Sequence, residues 1–171
     1  MRTVSLLVPL AAALVVGLPR PAEAQAYIGP HIAWGDEADF AVGARAGISL
    51  SRLLSPDPNE GGLTRFDALL AFDWFLDCND CSYFELTPAV TAPIQLNPEF
   101  LVYLGAGLNL ARFSVDVSND ELDASDTDLG LAILGGAEFP IASLTSFLEL
   151  RATLGGAEQV VISFGLLFGP G

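Results

Sequence analysis

The segment Phe100–Leu110, FLVYLGAGLNL, alternates without a break. Phe100, Val102, Leu104, Ala106, Leu108 and Leu110 occupy one set of alternate positions. Leu101, Tyr103, Gly105, Gly107 and Asn109 occupy the other. Successive side chains of a strand point to opposite faces, whereas a helix returns to the same face every three or four residues. The pattern therefore predicts a strand with one face apolar throughout and the other small or polar. A water-soluble sandwich would bury its large apolar side chains and send its charges outward. In this chain the second face also collects charges and glycines, so the expected wall is apolar outside and small and polar inside.

Seven further segments repeat the pattern. Tyr27–Trp34 places Ile28, Pro30, Ile32 and Trp34 outward, with His31 among the inward residues; Pro30 lacks a ladder donor and predicts a local irregularity. Phe40–Leu50 sets Arg45 inward among glycines. Phe66–Leu76 sets Asp67 and Asp73 inward, and Tyr83–Ile94 does the same with Glu85. Asp128–Phe139 carries Glu138 inward, and Phe147–Leu154 carries Glu149 and Arg151. Gln159–Phe168 completes the set. Turns are expected at Gly35–Ala38, Asp77–Cys81, Leu96–Glu99, Pro140–Thr145 and Gly155–Gly156. Longer loops are expected at Ser51–Leu63 and over the acidic stretch Ser114–Asp128.

Met1–Ala24 has a short basic front, an apolar run from Val4 to Leu18 and an Ala22-Glu23-Ala24 end. That is the form of a cleaved secretory signal peptide, cut before Gln25. The run is short for a membrane-spanning helix, which needs roughly 20 residues. Residues 25–171 are then the mature domain. They hold five basic and twenty acidic residues, hence a formal net charge of −15, and no lysine. Nothing there would neutralise phosphate, so nucleic acid is excluded as a partner. Yet 51% of the residues are hydrophobic, and after the leader no apolar run is long enough for a spanning helix. Only helices and closed barrels satisfy every backbone group within lipid. The fold expected is all-β: an eight-stranded antiparallel up-and-down transmembrane β-barrel.

Threading the strands up and down with both termini in the periplasm sorts the outward aromatics into two girdles. Trp34, Phe40, Trp74 and Phe84 gather at the upper rim, and Phe66, Phe100, Phe139 and Phe168 at the lower. Aromatic residues favour the two membrane interfaces. On this pattern, over Tyr27–Phe168, the chain resembles the small eight-stranded outer-membrane barrels, the OmpA/OmpX-like "porin family" group. The resemblance implies a monomer in the bacterial outer membrane, with lipid and the barrel assembly machinery as partners and an unknown loop partner outside. The chain departs from the group's aromatic terminus by continuing with Gly169-Pro170-Gly171.

Eight strands leave a lumen that side chains can fill. Arg45 and Arg151 face Asp67, Asp73, Glu85, Glu138 and Glu149 there. Two readings stand: a structural charge network, or a narrow cation-favouring path. Asp67 is the expected partner of Arg45, and Glu149 that of Arg151. His31 could act as a base with Ser49 or Ser163, as in a barrel enzyme acting on outer-membrane lipid, but no nucleophile motif surrounds either serine. No catalytic, cofactor or metal site is expected. Cys78 and Cys81, in an exported chain at a hairpin tip, are expected to form a local disulfide. The Asp116–Asp128 stretch reads as a solvated loop, with calcium as its alternative.

Overall fold

The computed structural model describes residues 26–50, 66–76, 81–115 and 124–169. Eight strands form: β1 Ala26–Gly35, β2 Asp39–Ser49, β3 Asp67–Phe75, β4 Cys81–Asn97, β5 Phe100–Val115, β6 Ala124–Ile141, β7 Leu144–Leu154 and β8 Gln159–Leu167. Each is antiparallel to its neighbours in sequence, and β1 pairs with β8 to close the barrel. Closure removes both sheet edges, leaving no row of unpaired backbone groups. The β1–β2 and β7–β8 turns, with the facing ends of β3 and β4 and of β5 and β6, lie at one end, the hairpin end. Ala26, Gly169 and the β4–β5 and β6–β7 turns lie at the other, the terminal end. The expected signal peptide, residues 1–24, falls outside the described residues, as does most of the connection between β2 and β3.

The alternation in sequence becomes an alternation in exposure. Ile32, Trp34, Leu70, Leu104, Leu131 and Ile162 lie on the exposed outer wall, while Ala33, Leu69, Ala71, Leu134 and Val161 are buried inside. The core is thus the lumen itself.

Four strands outrun the sequence expectation by two residues or more at an end. β4 begins at Cys81 and runs to Asn97, β5 continues to Val115, β6 runs from Ala124 to Ile141, and β7 begins at Leu144, which shortens the turn expected at Pro140–Thr145. Part of the stretch expected to be a loop is therefore an extended hairpin, paired Arg112↔Thr127, Phe113↔Asp126 and Ser114↔Ser125. The apolar alternation stops at Leu110 and Leu129 because the wall it serves stops there, but backbone pairing continues. Of the calcium alternative, residues 116–123 lie outside the described residues, and Asp126 and Asp128 are strand residues.

Pro30 behaves as its chemistry requires. The β1–β2 register is continuous through Pro30↔Ala44. On the β8 side the ladder ends at His31↔Gly165 and resumes only in a single bridge, Ile28↔Phe168. The missing N–H thus falls on the seam that closes the barrel. Pro88 leaves a similar gap between Leu86↔Leu110 and Ala89↔Gly107. There Thr87 Oγ1 donates to Asn109 Oδ1 at 2.6 Å, tying the two strands by side chains where the backbone does not. The β7–β8 turn has Gly155 and Gly156 at φ +72° and +66°, the left-handed pair that a tight hairpin favours.

Candidate functional site: a charge-filled lumen and its two mouths

Inward positions on seven strands converge on two buried networks. In the first, Arg151 of β7 donates from Nη2 to Asp73 Oδ2 of β3 and to Glu85 Oε2 of β4, both at 2.8 Å. The second oxygen of Asp73 meets His31 Nε2 of β1 at 2.6 Å. The second oxygen of Glu85 accepts the Tyr83 hydroxyl at 2.7 Å and the Gln159 amide.

In the second network, Arg45 of β2 donates to Glu149 Oε2 of β7 at 3.0 Å and to the Tyr103 hydroxyl of β5 at 2.7 Å. Tyr103 in turn donates to Glu149 at 2.9 Å. Tyr27 and Glu138 lie farther out, at 3.4 Å and 3.9 Å from the guanidinium. The Arg45 guanidinium carbon also sits 4.5 Å from the Phe147 ring centroid, within cation–π range. His31 packs edge-on against the same ring at 5.9 Å. Phe147 therefore stands between the two networks.

Arg45, Arg151, Asp73, Glu85 and Glu149 are all buried. Charges removed from water require opposite partners with good geometry, and each arginine has them. They are not the partners expected from sequence. Arg45 reaches Glu149 across the lumen rather than Asp67 on the next strand, where Asp67 is registered with Ser49. Arg151 reaches Asp73 and Glu85 rather than Glu149 on its own strand. Asp67 instead lines a cavity of about 210 Å³ at the terminal mouth, with Tyr27, Arg45 and Glu138. Its Oδ1 has no hydrogen-bond partner.

Glycines make room for the rings. Tyr27 faces Gly47, and His31 faces Gly43. Tyr103 faces Gly136, and Phe147 faces Gly165. A Cβ built on any of these glycines would run into the facing side chain. The sequence had marked the glycines as space but not the ring each one serves. It also passed over Tyr27, Tyr83, Tyr103 and Gln159 as members of the networks. The usable signal was register: positions 27 and 47, and 31 and 43, are equidistant from the β1–β2 turn.

His31 and Asp73 have the acid–base half of a hydrolytic triad, but His31 Nδ1 has no hydrogen-bond partner. No serine engages it there. Ser49 and Ser163 are buried. Among the described residues no cluster of three or more His, Cys, Asp or Glu side chains could hold a metal ion. Cys81 opens β4, and Cys78 lies outside the described residues.

On the outer wall Trp34 is opposite Phe40, and Trp74 opposite Phe84. At the terminal end Phe100 stacks on Phe139, with centroids 5.7 Å apart. Phe168 is bridged to Ile28, and Phe66 accepts the Leu50 N–H at 2.8 Å. The hairpin mouth holds a second cavity, of about 360 Å³, lined by Glu37, Asp39, Phe75, Tyr83, Phe113 and Glu158 among others.

No family model matches the chain, and no curated protein sequence does. Solved structures do. The N-terminal β-barrel domain of Pseudomonas aeruginosa OprF superposes with a TM-score of 0.54 at 14% identity, over 85% of this chain and 100% of that domain. Ail, the attachment invasion locus protein of Yersinia pestis, gives 0.53 at 15%, over 85% and 97%. Neisserial surface protein A gives 0.52 at 18%, over 86% and 96%. At these identities the likeness is one of fold, and the fold of this chain is that of the small eight-stranded outer-membrane β-barrels.

Proposed function

We propose that the chain is exported by its amino-terminal signal peptide and inserted in the bacterial outer membrane as a monomeric, non-conducting barrel. In that role the wall is a lipid anchor and the hairpin end, facing outward, is the working surface. The observation that carries this reading is the filled lumen. Arg151–Asp73–Glu85 and Arg45–Glu149–Tyr103 cross it at two levels, with Phe147 between them. An ion would have to displace paired, buried charges to pass.

Purified protein in planar bilayers should therefore give no steady current, and Arg45→Ala should lower stability while leaving the current near zero. Steady cation-selective current from the unmutated protein would replace this reading with that of a narrow channel, which the excess of lumen carboxylates would favour. Lodging in the outer-membrane fraction, with faster gel migration before heating than after, tests the location. Recovery from the soluble periplasm without detergent would reject it.

The Cys78–Cys81 bridge belongs to the same proposal, as a staple on the β3–β4 tip in an oxidising compartment. Unreduced protein treated with an alkylating agent should take up none. Two alkylated thiols would remove the bridge.

A further inference from the structure

The lumen explains the buried charges but not the hairpin mouth. The four connections there contain nine of the chain's 21 acidic residues and no lysine, arginine or histidine. None of Glu37, Asp39 and Glu158 forms an ion pair among the described residues. Acidic side chains alone would be a solvated rim. Here Glu37, Asp39 and Glu158 line a cavity of about 360 Å³ together with the rings of Phe75, Tyr83 and Phe113. Phe75 and Tyr83 pack at 5.0 Å between centroids, and Tyr83 and Phe113 at 6.4 Å. Phe113 remains 41% exposed. Gln159 also lines this cavity and is only 5% exposed, yet its Oε1 accepts no hydrogen bond. The amide nitrogen is committed to Glu85 and Tyr83, which fixes the orphan as an acceptor.

Carboxylates, aromatic rings and a buried acceptor without a donor define one chemistry. The ligand must be cationic, must carry a hydrogen-bond donor, and must gain from π-faces and apolar contact. A hydrated metal ion meets the first two conditions but not the third. We infer that the hairpin mouth binds an organic cation bearing an alkylammonium group. The volume suits a small molecule or a single side chain. The ring faces supply cation–π attraction, the rim carboxylates supply charge, and Gln159 Oε1 accepts a hydrogen bond from the ammonium. The site needs only the folded barrel, so it stands or falls separately from the membrane orientation and the closed lumen.

The test uses the full mature chain folded in zwitterionic detergent, with butylammonium as the probe and backbone amide shifts as the readout. Saturable shifts centred on Ala38 and Ala157 are expected, and magnesium at matched ionic strength should not abolish them. Phe113→Leu keeps the apolar bulk and removes the π-face; it should weaken butylammonium roughly three- to tenfold. Glu37→Gln with Glu158→Gln should weaken it further. Unchanged gel heat-modifiability shows that the variants are folded. A free amine and a lysine side chain present the same group. Tighter binding of butylammonium than of an end-blocked peptide with one central lysine assigns the site to small amines, and the reverse order to a polypeptide. Non-saturable shifts equal to those from sodium, or a Phe113→Leu protein that binds like the parent, would reduce the mouth to a screened acidic surface and overturn the inference.

Discussion

Arg151→Ala should destabilise the folded barrel by about 3–5 kcal/mol, the cost of breaking a buried ion pair by removing one partner. Arg151 is 1% exposed and donates to both Asp73 and Glu85. Without it, two carboxylates face each other in the lumen, with the hydrogen bonds from His31, Tyr83 and Gln159 as their remaining support. The loss should be read by urea unfolding in lipid vesicles, with the heat-dependent gel shift reporting the folded fraction. A control isolates the cause. Arg151→Met combined with Asp73→Asn and Glu85→Gln removes the stranded charges with the cation, and should recover most of the stability. Strong coupling of this kind is expected among residues that share one network. A loss below about 1 kcal/mol for the single variant would show that water reaches these carboxylates, and the closed-lumen reading would fall with it.

The difference between what the sequence disclosed and what it hid follows from the two directions of a barrel. Along a strand, side-chain direction has period two, so each of the eight segments announced its inner and outer faces. Arg45, Arg151, Asp73, Glu85 and Glu149 were all placed inward, and all are buried in the lumen. Across the lumen there is no such rule. Arg45 and Glu149 are 104 residues apart, and Arg151 and Asp73 are 78 apart. Their meeting depends on strand stagger and tilt, which no local pattern encodes. Proximity along the sheet therefore points to Asp67 for Arg45 and to Glu149 for Arg151, whereas the barrel pairs Arg45 with Glu149 and Arg151 with Asp73 and Glu85.

Strand ends were hidden for a related reason. β5 and β6 continue past the wall as a hairpin with Phe113, Asp126 and Asp128 near its base. Outside the apolar belt nothing selects an alternating pattern, so hydrogen bonding alone defines the element. The same extension gives the hairpin mouth one of its aromatic walls, Phe113, which lies between the alternating segment that ends at Leu110 and the loop expected from Ser114. A glutamine at the start of a strand, such as Gln159, carries no signal of its own. Its place is set by Tyr83 and Glu85 on the opposite side of the barrel.

Leu104→Arg should cost about 2–4 kcal/mol in lipid, the measured scale for a cation on the lipid face near the bilayer midplane. Leu104 lies on β5, four residues from the Phe100 girdle position, and is 68% exposed on the outer wall. At about 3.4 Å per residue and a tilt of about 40°, that places it roughly 10 Å above the girdle, near the middle of an apolar belt about 25 Å tall. If water bathed this face, an exposed leucine replaced by arginine would be close to neutral, as surface substitutions usually are within ±0.5 kcal/mol. The sign of the environment is thus read from one substitution. A second position sets the depth scale: Phe100→Arg, at the girdle, should cost less than Leu104→Arg, because the penalty falls toward the interface where a long cationic side chain can reach the headgroups. Unfolding measured in vesicles for both variants decides the matter. Equal, small effects at the two sites would mean that the outer wall does not face hydrocarbon, and the apolar face of all eight strands would then require a protein partner instead of a membrane.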